Sequence, residues 1–288
     1  RYVEKGVGPS DLAIPATEQA LEAAGITVGD IDFIIFATST PDFYAPGSGC
    51  VLQEKMGFNE IGALDIRVQC SGFLYGLSIA EQYIKTNMFK NILLIGAEVQ
   101  STAMDLTNEG RDTAVIFGDG AGAAIISATE KDKGILSTHM HSEGKYFKEL
   151  WLESPASNAG HPRITSEDLD KGKQYLKMNG KEVFRHAVTR FPEVINECLE
   201  KNNLTTDDID LLIPHQANLR ITQMVQKRLG LKDDQVFSNI HKYGNTTAAS
   251  IPIALCEAMD EGRVKKGDLV VFAAFGSGFT WASAIVKW

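Results

Sequence analysis

The chain has 288 residues, 44% of them apolar and 23% charged, with a formal net charge of −9. That size supports a substantial core, as one large domain or two ordinary ones. The acidic balance argues against nucleic acid as a partner, and no apolar run approaches the ~20 residues that cross a bilayer, so no membrane insertion is expected. Taken in order, apolar residues at helical spacing predict a first helix over 13–24. The acidic turn Gly29-Asp30-Ile31-Asp32 then runs into an apolar strand at 33–35. Residues 52–57 read as a helix closed by a glycine C-cap. A short strand and the tight turn Gln69-Cys70-Ser71-Gly72 lead into another helix, and 91–96 reads as a buried strand. Residues 118–123 read as a glycine turn ahead of a β-rich run at 124–127. They lack the third glycine of a dinucleotide loop. His139-Met140-His141 reads as an exposed strand end, because two ligands without a third are a weak sign of a metal.

The same order of elements then recurs. A helix at 183–199 precedes the acidic turn Asp207-Asp208-Ile209-Asp210 and an apolar strand at 211–213. Residues 225–230 answer 52–57, the turn Gly244-Asn245-Thr246-Thr247 answers the one at Cys70, and 268–275 answers 91–96. Alternating strands and helices predict an α/β fold with largely parallel pairing. Short continuous apolar runs fit strands buried on both faces. The expected organisation is two pseudo-symmetric halves, 1–130 and 131–288, with their sheets packed around shared central helices. The repeat makes Cys70 and Asn245 counterparts. A pseudo-twofold axis would bring them together with His215, which follows the apolar strand in Pro214-His215-Gln216-Ala217-Asn218. Strand ends of this kind are where α/β folds build sites.

Each of these residues has an ordinary role as well. A helix N-terminus stabilises a thiolate, which would activate Cys70, yet a cysteine alone is more often a small buried residue. A histidine at a strand end is commonly a hydrogen-bonded structural residue, and asparagine is a favoured N-cap. Gly276-Ser277-Gly278-Phe279 can aim N–H groups at an oxyanion, or form a plain hairpin turn. Cys50, Cys198 and Cys256 have no comparable surroundings and are expected to be structural. No cysteines form a C-x-x-C pair, and the opening residues lack a signal-peptide pattern, so reduced thiols in a cytoplasmic protein are expected.

Five motifs together carry a family resemblance. They are Val68-Gln69-Cys70-Ser71-Gly72-Phe73, Phe117-Gly118-Asp119-Gly120-Ala121-Gly122-Ala123, Pro214-His215-Gln216-Ala217-Asn218-Leu219-Arg220, Gly244-Asn245-Thr246-Thr247-Ala248-Ala249-Ser250 and Phe275-Gly276-Ser277-Gly278-Phe279-Thr280-Trp281. In order and content the chain resembles the 3-oxoacyl-[acyl-carrier-protein] synthase III family. The resemblance implies a thiolase-like five-layered αβαβα fold and a homodimer. It implies acyl-CoA and a malonyl acyl carrier protein as substrates, with no resident cofactor and no metal. Cys70 would carry the acyl group, with His215 and Asn245 acting on the malonyl thioester. Backbone N–H groups of Cys70 and Ser277 would hold the oxyanion. Arg111, Phe184, Ala217, Asn218 and Phe275 would line the substrate tunnel, and Arg185, Arg220, Lys227 and Arg228 would form a basic patch for the acidic carrier protein. Tyr44 and Ala45 would lie on a loop that closes the partner's acyl pocket, with the small Ala45 favouring primers longer than acetyl.

The sequence departs from the family pattern at two places. The family has an opening strand ahead of Arg1, and without it a strand inside a sheet is expected to lack a partner. Ser277 stands where glycine is usual, which demands a backbone conformation open to a Cβ. A related ketosynthase of secondary metabolism or of long-chain condensation is the alternative reading. A non-catalytic subunit of the same fold is a third, weakened by the presence of Cys70, His215 and Asn245.

Overall fold

The computed structural model describes residues 1–129 and 131–288. In chain order the elements are α1 (Pro9–Ala24), β1 (Phe33–Ala37), α2 (Ser48–Met56), β2 (Gly62–Ile66), α3 (Gly72–Lys85), β3 (Asn91–Glu98), α4 (Arg111–Ala114) and β4 (Gly120–Ser127). They continue with β5 (Gly134–Ser142), β6 (Leu150–Trp151), α5 (Ser166–Asp170), β7 (Lys177–Met178), α6 (Gly180–Lys201), β8 (Leu211–Pro214) and α7 (Leu219–Leu229). The last are α8 (Ile240–Tyr243), α9 (Ser250–Asp260), β9 (Leu269–Gly276) and β10 (Thr280–Lys287).

The repeat shows first in the caps. After α1 the chain turns at Gly25 with φ 69°, and after α6 it turns at Asn203 with φ 57°. Glycine and asparagine are the residues that tolerate this left-handed region. Each turn is followed by the same acidic box. Asp30 accepts from the Thr27 N–H and hydroxyl, and Asp208 accepts from those of Thr205. Both boxes set the angle at which the chain enters its next strand.

Strand alternation then builds the layers. On β1, Ile35 faces the centre while Ile34 and Phe36 face α1 and α2. On β3, Ile92 and Leu94 face inward, and Leu93 and Ile95 face outward. On β9, Val270, Phe272 and Ala274 face inward, while Val271, Ala273 and Phe275 pack on α6 and α7. Between the sheets lie α3, through Phe73, Leu74 and Leu77, and α9, through Ile251, Ala254 and Ala258. The result is five layers: α1 and α2, the first sheet, α3 and α9, the second sheet, then α6 and α7. Strands with apolar residues on both faces are what this arrangement requires.

The first sheet has order β2-β1-β3-β4 and the second β5-β10-β9-β8. The pairs β1–β2, β1–β3 and β8–β9 are parallel, and β3–β4, β9–β10 and β5–β10 are antiparallel. Thus β1, β3 and β4 repeat as β8, β9 and β10. Outside β8 the second half has, among the described residues, one bridge, Leu212 to Val236, where the first has the strand β2. Outside β10 the second half has β5, while the outer edge of β4 has no strand among the described residues. The partnerless strand expected inside a sheet is therefore an edge strand. The expected division at 130/131 touches Glu130, which lies outside the described residues.

One local expectation is corrected and one is extended. Gly120 and Gly122 are not in a turn: β4 begins at Gly120. A Cβ on Gly122 would sit 2.8 Å from Pro252 Cβ and 2.9 Å from the Ile253 nitrogen, so the glycines serve close approach to α9. His139 and His141 are in the last four residues of the edge strand, as expected, and they share an acidic partner. They lie within β5, with His141 Nε2 2.6 Å from one Glu197 oxygen and His139 Nδ1 3.4 Å from the other. A pair so distant in sequence has no local signature.

Candidate active site

Cys70 sits in a 3₁₀ turn, Gln69–Ser71, immediately ahead of α3. Gln69 has φ 44°, a costly conformation for a residue with a side chain. The second half repeats the device: Thr247 has φ 51° and opens the 3₁₀ turn Thr247–Ala249 ahead of α9. The internal counterpart of Cys70 is therefore Ala248, and not Asn245 as the sequence comparison indicated. The two turns touch at the centre of the molecule. A Cβ on Gly72 would lie 3.4 Å from Ala248 Cβ, and one on Gly276 would lie 2.7 Å from Cys70 Sγ. Glycine at the end of β9 is thus what leaves room for the thiol.

Asn245 lies just upstream of the second turn. Its N–H donates to the Ile116 carbonyl (2.8 Å), and its carbonyl accepts from the Gly118 N–H (3.0 Å). Its Oδ1 accepts from the Thr247 N–H at 2.9 Å, which leaves the side-chain NH₂ group for the cavity. His215 follows β8 and donates its N–H to the Ala273 carbonyl at 2.7 Å. Its Nδ1 lies 2.6 Å from Ser250 Oγ, and its buried Nε2 has no protein partner among the described residues. Burial pushes its pKa down to about 3, so the ring is neutral at physiological pH.

All three side chains line one cavity of about 200 Å³. Of the predicted tunnel residues, Phe184, Ala217, Asn218 and Phe275 line it too, whereas Arg111 does not; its neighbour Asp112 takes that place. Sequence reasoning missed Leu150 and Met178, which face each other across the two-residue ladder β6–β7. Strands that short carry no readable pattern. It also missed Phe117, Val183, Ala187 and Ile221. The helical spacing of Val183 to Ala187, and of Asn218 to Ile221, was the available signal. A larger hollow of about 350 Å³ between Phe147, Trp151, Glu153 and Lys173 contains none of the predicted site residues.

The thiol is not held as a thiolate. Burial and the charge of Glu98 push Cys70 up to about 12, against the opposing pull of the Ser277 and Cys70 N–H groups. Desolvation outweighs the helix terminus here. Glu98 is itself fully buried at the end of β3 and pushed up to about 7 by that burial. Ser39 and Thr40 hydroxyls donate to it at 2.8 Å, and Gln100 Nε2 at 3.2 Å. Ser277 is outside the left-handed region, so its Cβ is tolerated. Its hydroxyl donates to the Leu150 carbonyl, tying the loop after β9 to β6.

The remaining predicted residues are dispersed. Arg220 and Lys227 are exposed on α7, while Arg185 pairs with Glu182 and Arg228 Nη1 donates to the Val188 carbonyl at 2.6 Å. Tyr44 and Ala45 are exposed and away from their own chain's cavity. Tyr44 bonds Ser157 Oγ (3.0 Å) and lies under the Arg163 guanidinium. Cys198 is core, but Cys50 and Cys256 are exposed, contrary to the structural role expected of them. No helix among the described residues is long and apolar enough to cross a membrane.

A site placed where two internally repeated turns meet, inside five alternating layers, belongs to the thiolase fold. Comparison with known proteins narrows the class. The model for 3-oxoacyl-[acyl-carrier-protein (ACP)] synthase III matches residues 64–144, and that for its C-terminal part matches 199–288. Beta-ketoacyl-[acyl-carrier-protein] synthase III of Clostridioides difficile is 46% identical over 288 residues, covering 100% of this chain and 86% of the relative. The enzyme of that name from Caldanaerobacter subterraneus is 44% identical with the same coverage. A solved 3-oxoacyl-[acyl-carrier-protein] synthase III from Aquifex aeolicus superposes with a TM-score of 0.90 at 40% identity, covering 100% of this chain and 87% of that one. The chain belongs to the 3-oxoacyl-[acyl-carrier-protein] synthase III family and is an acyltransferase of the condensing type.

Proposed function

We propose that the chain joins an acyl-CoA primer to a malonyl acyl carrier protein, giving 3-oxoacyl carrier protein, free coenzyme A and CO2, as the initiating step of type II fatty-acid synthesis. Cys70 Sγ attacks the acyl-CoA carbonyl. The thioester bond to coenzyme A breaks, its thiolate takes the proton lost by Cys70, and the acyl group stays on the enzyme. The malonyl thioester then enters. His215 Nε2 and Asn245 Nδ2 donate to its carbonyl oxygen while the bond to the departing CO2 breaks, stabilising the enolate. The enolate carbon attacks the acyl-Cys70 carbonyl, whose oxygen is held by the N–H groups of Cys70 and Ser277. Cys70 leaves as a thiolate and regains a proton from solvent. Phe275 shapes the end of the cavity where the carboxylate is lost.

The observation that carries this reading is a pair of side-chain nitrogens left without protein partners among the described residues. A buried Nε2 without a partner and an amide NH₂ with its oxygen already engaged line the cavity of the thiol. An unpaired buried donor is costly in the empty site and is repaid when a developing oxyanion arrives.

The partners follow as proposals on the same footing. Phe184, Ala217 and Asn218 line the pantetheine path, with Arg111 outside it at the surface. Of the four patch residues, Arg220 and Lys227 have no acidic partner among the described residues and are available to an acidic carrier protein; Arg185 and Arg228 must first give up their present partners. No resident cofactor or metal enters any step. A homodimer is supported by the unpaired outer edge of β2 among the described residues, beside the exposed loop bearing Phe43 and Tyr44. Four free thiols, two of them exposed, suit a cytoplasmic protein. The division at 130/131 is supported by sheet membership, since the first sheet uses strands within 33–127 and the second strands within 134–287.

The test separates the two half-reactions. Radiolabelled acyl-CoA should acylate the wild type and not Cys70→Ala. His215→Ala and Asn245→Ala should still acylate but lose decarboxylation of the malonyl thioester by about 10²- to 10³-fold. Normal condensation by either variant overturns its assignment, and no labelling of the wild type by any acyl-CoA overturns the CoA primer.

A further inference from the structure

We propose that Ser250 fixes the tautomer of His215, holding the ring proton on Nε2, the nitrogen left without a protein partner in a side chain that lines the cavity of Cys70. The inference rests on the assignment of His215 as a hydrogen-bond donor to the malonyl thioester. A neutral imidazole has one N–H and one bare nitrogen, and only the N–H can donate to a thioester oxygen. Which nitrogen holds the proton is decided by the partner of the other.

That partner is Ser250, the first residue of α9, itself only 2% exposed. Its Oγ lies 2.6 Å from His215 Nδ1 and accepts the Gln216 N–H at 3.3 Å. The hydroxyl oxygen therefore already receives one hydrogen, and its own proton needs an acceptor. Among the described residues the one in place is Nδ1. With Nδ1 accepting, the ring proton sits on Nε2. In the reverse arrangement Oγ would accept both N–H groups, the buried hydroxyl proton would have no acceptor among the described residues, and Nε2 would face the substrate as a bare lone pair. That tautomer cannot stabilise an enolate.

Two observations separate this role from simple scaffolding. At the matching helix start of the first half the residue is Gly72, so the fold does not require a hydroxyl there. The segment bearing His215 is also held without Ser250. His215 N–H binds the Ala273 carbonyl at 2.7 Å, Gln216 Nε2 donates to the Pro214 carbonyl at 2.6 Å, and Gln216 Oε1 accepts from Ser238 Oγ at 2.8 Å and the Asn239 N–H at 3.1 Å. Ser250 is thus a positioning residue, acting on substrate through the ring.

The experiment reads the proton directly. Protein labelled with ¹⁵N histidine is examined by NMR, with His215 assigned by loss of its signals in His215→Ala. Cys70 acylation and malonyl decarboxylation are measured separately. The wild type should carry the proton on Nε2. Ser250→Ala should show mixed tautomers and a decarboxylation rate lower by about 10- to 100-fold, the scale seen for the outer hydrogen-bond partner of a metal-bound imidazole, while acylation falls far less. Ser250→Thr, which keeps the hydroxyl, should restore both the tautomer and the rate. A wild-type ring protonated on Nδ1 overturns the proposal, as does Ser250→Ala with unchanged tautomer and decarboxylation. If Ser250→Ala does not fold, the wild-type spectrum and Ser250→Thr still decide. A wild type that neither acylates Cys70 nor decarboxylates a malonyl thioester would defeat the functional reading, and its ring proton would still report on Ser250.

Discussion

At the scale of single residues, the unusual group is Glu98. It is fully buried, is wrapped by Ser39, Thr40 and Gln100, and its charge opposes ionisation of Cys70. Burial raises its pKa from the ordinary 4.5 to about 7. The native state therefore holds a proton that the unfolded chain releases between those values. That contribution to stability is complete below the unfolded value and is lost as pH rises through 7, a swing on the order of 3 kcal/mol. Glu98→Gln should flatten this part of the profile. Urea unfolding midpoints of the two proteins, compared across that window, should converge or cross as the wild type weakens. A constant difference would show that Glu98 does not titrate there. The same substitution removes a negative charge near the thiol, so alkylation of Cys70 at about pH 8 should quicken.

At the scale of elements, glycines separate fold from site. A Cβ on Gly96 in β3 would fall 2.4 Å from the Ala248 carbonyl oxygen and 2.8 Å from its carbon. Backbone cannot step aside cheaply, so Gly96→Ala should cost about 1–3 kcal/mol. It should also slow condensation, because the displaced turn carries the Thr247 N–H that holds the Asn245 amide. Gly25 gives the contrast. Nothing lies within 4 Å of a Cβ there, but φ is 69°. Gly25→Ala should cost about 1–2 kcal/mol through the backbone alone and leave the activity of the folded protein unaltered. Urea midpoints and turnover measured together distinguish the two; equal loss of activity in both would mean that Gly96 has no link to the site. These positions also mark what was legible in the sequence. The repeated strands were readable because a strand buried on both faces is a continuous apolar run, and the repeated acidic boxes because their residue types are specific. The true partner of Cys70 was hidden, since the left-handed residues that mark the two turns are Gln69 and Thr247, and neither side chain announces that conformation. Gly120 and Gly122 misled for the converse reason: glycine signals a turn and a close approach alike, and only the packing of α9 tells which is meant.

At the scale of the whole molecule, the question is where each cavity obtains its wall. Tyr44 and Ala45 lie on an exposed loop, with Phe43 58% and Tyr44 61% accessible, and none of them lines the cavity of its own chain. Asp65 of the edge strand β2 accepts the Ser48 and Gly49 N–H groups, fixing the end of this loop at the same edge of the first sheet. A two-fold partner docked on that edge would place the loop against the other subunit. The proposed homodimer then makes primer choice a property of the neighbour. Wild type should accept primers longer than acetyl, and Ala45→Phe should lose the longer ones while keeping acetyl. Mixed dimers of Ala45→Phe with Cys70→Ala give the decisive arrangement. In them the single working thiol belongs to the chain with the bulky residue, but its pocket faces an unaltered Ala45 loop from the Cys70→Ala chain. Long-primer turnover should return in the mixed dimer, although one parent lacks the thiol and the other lacks long-primer activity. If the loop served the cavity of its own chain instead, mixing would restore nothing, and Ala45 would have to act from within one subunit.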